Sequence, residues 1–406
     1  MIDATKSDIG SIELAGDRPP VSPATYKFAT ISLRSHFKRI PLQIVNPSSS
    51  SSKAVITPPI DAVCGGGLSL VIALSVIAYG WFSQSGVSQV FFAIQTYLFI
   101  DLLINGPHFM ASYRLLFSRR KNFRDHPIVT IVMPILAFIF LGYVAYWSFQ
   151  TSESNSTELL GIVVILNWFA PVFLAWHYMG QSWGMTACFA YLSDLRMTPL
   201  ERRLIRSGFH ALFVYHVIVA YNSVGFIQGV FAEEEAGRYL MEFLMSVSRL
   251  AVFVTFALGL LGFRLLSKRE GKHIPIRVWL PWIATFSWYV MVDVHPAAFF
   301  LLQAFHALQY LSFPARVELN EYTNPNYRWI HLPVYYVVLV VVGYVAFEWS
   351  SLLGGLEGSR AQLATATMMV INLHHYFIDA TIWKIRNPHV REALFKHLDP
   401  SGSEGK

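Results

Sequence analysis

Six of the chain's fourteen histidines lie inside long apolar runs: His108, His177, His216, His306, His374 and His375. An ionisable group at such a position is costly in a bilayer and is retained there for pairing or function. Neutral imidazole is the commonest protein metal ligand, so several in one membrane protein point first to a metal. The neighbouring residues fit that chemistry. Asp101 stands seven residues before His108, on the same helical face. Gln181 follows His177 by four, Gln303 and Gln309 flank His306 at three on either side, and Asp379 follows His375 by four. A ligating histidine usually gives its second ring N–H to a carboxylate, carbonyl or amide oxygen, and these spacings permit it. The candidate metal ligands are therefore His108, His177, His306 and His374 or His375. The last two differ by about 100° around a helix, so one points inward and the other stands behind it. Asp101 and Asp379 are the candidate catalytic acids, each costing roughly 2.5–3.5 kcal/mol at mid-helix. They would orient imidazoles, or one would ligate. His216 has no adjacent acid and reads as a helix-to-helix hydrogen bonder. Glu242 and Arg249, seven apart, read as a structural ion pair.

The elements that must hold these residues are membrane helices. Apolar runs cover roughly 62–83, 89–113, 128–149, 159–192, 207–231, 239–263, 276–294, 297–313, 330–350 and 362–383, each near or above the ~17 residues that cross the hydrocarbon. The eighth is short and flanked by Pro296 and Pro314. Basic loops follow every second run: Arg114 to Arg124, Arg196 to Arg206, Arg264 to Arg277, Arg316 and Arg328, and Lys384 and Arg386. The intervening exits are neutral or acidic, as in Glu233-Glu234-Glu235. Under the positive-inside rule this gives about ten spans with both termini cytoplasmic. At ~1.5 Å per residue, His108, His216, His306, His374 and His375 lie within roughly 9–15 Å of the cytoplasmic ends of their helices, and His177 slightly deeper. Imidazoles from several helices share one slab.

Composition supports the class. Of 406 residues, 54% are hydrophobic and only 14% charged, with a net charge of +6, whereas soluble domains carry about 25% charged residues. The expectation is an all-α polytopic bundle over 59–388, integral to a membrane and multi-pass, which in a bacterium is the inner membrane. A polar tail at 1–58 reads as disordered or loosely attached, and 389–406 as a short cytoplasmic tail. No cleaved signal peptide is evident. Cys64 and Cys188 form no zinc pattern. Gly65-Gly66-Gly67 sits in an apolar helix and suggests close packing. The clustered His boxes of membrane desaturases are absent, as are HExxH, GxSxG and the P-loop. No feature calls for a nucleic-acid partner.

One ligand per helix, together with Pro107-His108, His177-Tyr178, His306 and the segment His374-His-Tyr-Phe-Ile-Asp379-Ala-Thr-Ile382, resembles the Brp/Blh-type membrane β-carotene dioxygenases. That resemblance implies iron held by histidines from separate helices and a carotenoid-like substrate. The chain is longer than that family, with about three extra spans. The acids following the family's first two His motifs are missing, Gln181 replacing one. The leading expectation is a membrane oxidoreductase using Fe(II) and oxygen on a lipophilic substrate drawn from the bilayer, a carotenoid, isoprenoid or lipid. The rivals are a haem-binding electron carrier and a proton-coupled transporter with a His/Asp relay. A membrane acyltransferase with a catalytic His is a further class, with no second motif behind it.

Overall fold

A computed structural model of the chain describes residues 53–82, 101–150, 156–223, 235–322, 328–352, 359–385 and 388–398. Among the described residues there is no strand. In lipid, an unpaired backbone N–H or C=O costs several kcal/mol, and a helix pairs both within one segment. The helices are α1 (Pro58–Ala62), α2 (Leu68–Phe82), α3 (Gly106–Phe117), α4 (Arg120–Asp125), α5 (Met133–Gln150), α6 (Ser156–Leu192), α7 (Pro199–Ser223), α8 (Glu235–Glu270), α9 (Ile276–Val294), α10 (Leu301–Glu321), α11 (Arg328–Leu352), α12 (Ser359–Ile382) and α13 (Pro388–Phe395).

Five stretches are long and apolar enough to cross a membrane: Pro58–Tyr79, Ile128–Trp147, Pro199–Asn222, Gly237–Glu270 and Ile330–Phe347. They expose large apolar side chains such as Phe138, Leu250, Phe253 and Val337, as lipid-facing helices do. The sequence reading had further spans at α9, α10 and α12. These are less apolar because they carry Trp, Tyr, Gln, His, Arg and Asp, and they lie largely inside the bundle, where the fully buried Trp282, Trp288 and Tyr289 belong. The span read at 89–113 falls partly outside the described residues, and so do the side chains of about the first quarter of the span read at 159–192 on α6.

Three helices begin with a π-turn: Val63–Gly67, Asp101–Asn105 and Ile128–Val132. Such turns recur at functional sites. The glycine run is therefore a kink rather than plain helix. Gly66 sits at φ 157°, and a Cβ there would stand 2.7 Å from the Leu280 carbonyl oxygen, so only glycine lets α9 approach. Side chains take the loosened carbonyls: Ser69 Oγ donates to Gly66 and Gln309 Nε2 to Gly65, at 3.0 and 3.1 Å. α10 differs from expectation as well. It starts with a 3₁₀ turn at Pro296–Phe300 and continues through Pro314 to Glu321.

Polar contacts gather the charged helix ends. Arg114 reaches Glu318 at 3.3 Å, Arg269 reaches Glu201 at 2.9 Å, and Arg277 Nη1 donates to the Lys53 carbonyl at 2.7 Å. Residues 53–57, read from sequence with the tail, are packed in. Val55 is fully buried, its N–H and that of Ile56 donate to Asp61, and Arg316 donates to its carbonyl. At the C-terminal side α13 buries Leu394, and Asn320 Nδ2 donates to the Ala393 carbonyl at 2.9 Å. Arg249 pairs with Asp293 on α9 at 2.8 Å, not with Glu242. Helix packing brings Asp293 closer than Arg249's own helix can bring Glu242.

Candidate metal centre

Four helices each bring one imidazole to a common point: His108 from α3, His177 from α6, His306 from α10 and His375 from α12. One ligand atom from each lies within 4.8 Å of the other three. The ring centroids trace a closed circuit, with His108–His306 at 5.0 Å, His306–His177 at 4.5 Å, His177–His375 at 5.1 Å and His375–His108 at 4.5 Å. Across it, His108 and His177 stand 6.4 Å apart. The four residues are 1%, 6%, 2% and 0% exposed.

Local structure places the first ligand. Pro107 lacks the N–H that would bond the Leu103 carbonyl one turn back, and the Tyr336 hydroxyl of α11 donates to that carbonyl instead. Gly343 of α11 packs on Gly106, and a Cβ there would meet backbone at 2.8 Å. The start of α3 is thus held against α11 with His108 turned inward.

Among the described residues, both ring nitrogens of His108, His306 and His375 and Nε2 of His177 have no hydrogen-bond partner. Each such buried group costs about 1–3 kcal/mol. A bound cation would turn that cost into ligation. Metal–nitrogen bonds of about 2.0–2.1 Å limit any ligand pair to about 4.2 Å, so the most distant permitted pair must close by only about 0.6 Å. The four histidines can hold a metal ion; nitrogen donors alone suit iron, zinc or copper.

One helical turn further along the same four helices lies a second polar layer. Ser112, Gln181, Tyr310 and Asp379 each follow a cluster histidine by four residues. Ser112 Oγ donates to Asp379 Oδ1 at 2.7 Å and lies 2.5 Å from the Tyr310 hydroxyl, which accepts from Trp383 Nε1 at 2.9 Å. Asp379 Oδ2 stands 3.4 Å from His375 Nε2 and 3.8 Å from His177 Nε2, the only described acid in reach of the cluster. Gln181 Nε2 donates to the His306 carbonyl at 2.9 Å, which ties α6 to α10 rather than orienting His177.

No family model, no curated protein and no solved structure matches the chain.

The remaining sequence candidates separate. His374 is not in the cluster. Its Nε2 lies 2.7 Å from the Val129 carbonyl and its Nδ1 3.1 Å from the Tyr113 hydroxyl, because the turn around α12 aims it at α3 and the π-turn before α5. Asp101 begins the π-turn leading into α3, and its side chain lies outside the described residues. His216 stays outside the circuit and bonds the Tyr289 hydroxyl at 2.6 Å through Nδ1, a helix-to-helix role. Ser112, Tyr310 and Trp383 escaped the sequence reading. The signal for all three was the spacing of four that picked out Asp379, applied to hydroxyl and indole groups as well as to acids.

Proposed function

We propose that this chain is a ten-span membrane oxidoreductase that binds iron through His108, His177, His306 and His375 and oxidises a lipophilic substrate with oxygen. The observation carrying the reading is the convergence of four buried imidazoles whose ring nitrogens lack protein partners. The resemblance of Pro107-His108 and of the segment 374–382 to the Brp/Blh dioxygenases supports the choice of iron. When bound, the metal would supply oxygen activation. The chain's own part is positional. Asp379 is held by Ser112 and places Oδ2 beside Nε2 of both His375 and His177, so its negative charge would favour a cation held at the same point. Tyr310 lies edge-on to His108, with centroids 4.3 Å apart, and its hydroxyl and Ser112 can pass a proton to Asp379. Bulky side chains such as Phe109, Tyr178 and Tyr376, all buried, exclude water.

Haem ligation is less favoured, because two further imidazoles crowd any axial pair where a macrocycle would lie. A proton-relay transporter is less favoured because the polar groups form two adjacent layers rather than a continuous path.

The test is metal analysis and an absorption spectrum of protein purified in mild detergent. Near-stoichiometric iron without a Soret band is expected, lost in His108→Ala and His306→Ala variants of unchanged helicity. A Soret band, or turnover by metal-free protein, would overturn the reading.

A further inference from the structure

A cavity of about 270 Å³ reaches the second polar layer from one side of the bundle. Its lining includes the buried, inner groups His177, Asp379 and Tyr310 and the exposed Lys384. Two of the inner groups, His177 and Asp379, are more than nine-tenths buried, and each presents a polar atom with no hydrogen-bond partner among the described residues. One wall is the face of α6 that carries Trp176, Gly180 and Gly184 at spacings of four. No atom lies within 4 Å of where a Cβ would stand on either glycine, and Trp176 is exposed. Apart from Gln181, the rest of the lining, including Met185 and Phe313, is apolar.

We infer that this slot binds a single-chain lipid anion, with its carboxylate or phosphate at Lys384 and its chain lying along Gly184, Gly180 and Trp176. The inference rests on the proposed function for its chemistry, and on the slot alone for its binding. Ligand pockets span roughly 300–1,000 Å³, and a volume at the lower edge suits one chain rather than two. The α6 part of the lining runs over two helical turns from Gly184 to Trp176, about 12 Å at helical rise. Lys384 is exposed and has no ion-pair partner among the described residues. Five residues separate it from Asp379, about 8 Å at helical rise. The chain carbon nearest the histidines is therefore several bonds from the head group, and the far end of the chain passes beyond them. Reaction at an internal position follows, not at the terminal carbon.

The test uses purified full-length protein in phosphatidylcholine nanodiscs, with radiolabelled palmitate bound in a scintillation proximity assay. Saturable binding is expected, displaced by unlabelled palmitate or hexadecyl phosphate. The more effective of the two competitors identifies the head group. Methyl palmitate should compete about tenfold less well, a difference of about 1.4 kcal/mol. Lys384→Ala should weaken binding to a similar degree and Lys384→Arg should restore it. Gly184→Leu places a side chain in open space and should abolish saturable binding while far-UV circular dichroism and metal content stay unchanged. Undiminished binding in Gly184→Leu overturns the slot, and equal competition by the ester overturns the anionic head group. Metal-free protein that binds palmitate sinks the metal reading and leaves the slot standing. Iron-loaded protein without saturable binding does the reverse.

Discussion

His374 and His375 are neighbours in sequence and point about 100° apart around α12, and the fold gives them separate work. His375 faces three other imidazoles, whereas His374 bonds the Val129 carbonyl and the Tyr113 hydroxyl. His375→Ala should therefore abolish metal binding with little change in helicity. His374→Ala should keep the metal and lower stability by about 1–3 kcal/mol, the cost of a stranded buried acceptor. Metal analysis beside thermal unfolding in detergent separates the two, and metal loss in both variants would remove the distinction. Asp379 is the next test. Asp379→Asn keeps an oxygen for Ser112 but removes the charge facing His375 and His177, so metal affinity should fall about 10–100-fold. Competition against a calibrated chelator measures this, and an unchanged affinity would confine Asp379 to packing. Much of this layer was legible in sequence, since residues four apart share a helix face. Which of two adjacent histidines turns inward was not, because it depends on the rotation of α12 against α3 and α6.

The position of His108 is set by an element junction rather than by a side chain. The Asp101–Asn105 π-turn delivers the chain to Pro107, Tyr336 caps the carbonyl that proline leaves free, and Gly343 allows α11 to touch Gly106. Gly343→Ala should cost about 1–3 kcal/mol through overpacking against backbone. It should also weaken metal binding, since relief of the contact moves the first turn of α3. Tyr336→Phe should lower stability by about 1–3 kcal/mol through the stranded Leu103 carbonyl, with a smaller effect on metal. Midpoints of thermal unfolding and metal titrations of the same samples check both, and a Gly343→Ala protein with native affinity would show that the junction does not position the ligand. The Pro107-His108 pair was visible in sequence. The π-turn was not, because five residues of altered hydrogen bonding leave no mark on a hydrophobic pattern. Pro314 misled for a related reason: a proline inside a packed helix is tolerated when neighbours hold the chain on both sides.

At the scale of the whole molecule, basic and non-basic loops alternate along the chain. The runs at 89–113 and 159–192, which carry His108 and His177, are strongly apolar in sequence, whereas His306 and His375 stand on helices richer in polar and aromatic residues; the alternation of basic and non-basic loops registers all four. The contacts at the charged helix ends agree with that alternation. Arg114 with Glu318, Arg269 with Glu201 and Arg277 with the Lys53 carbonyl join the ends of five helices to one another and to the segment 53–57, and all five ends border loops of the basic set. Arg249 and Asp293 meet away from that set. A topology of ten spans therefore makes a definite prediction for single cysteines in a background lacking Cys64 and Cys188. Cysteines at Lys121, Arg203 and Lys268 should react with a membrane-impermeant maleimide from one face of sealed vesicles, and a cysteine at Arg238 from the other. All four face water in a ten-span chain, so the labelling pattern reads sidedness rather than depth. If Arg238 labels together with Lys268, the helix between them does not cross, and the shared slab of imidazoles loses its common reference plane. If the two segregate, the slab, the polar layer beneath it and the slot at Lys384 all lie towards the face carrying the basic loops.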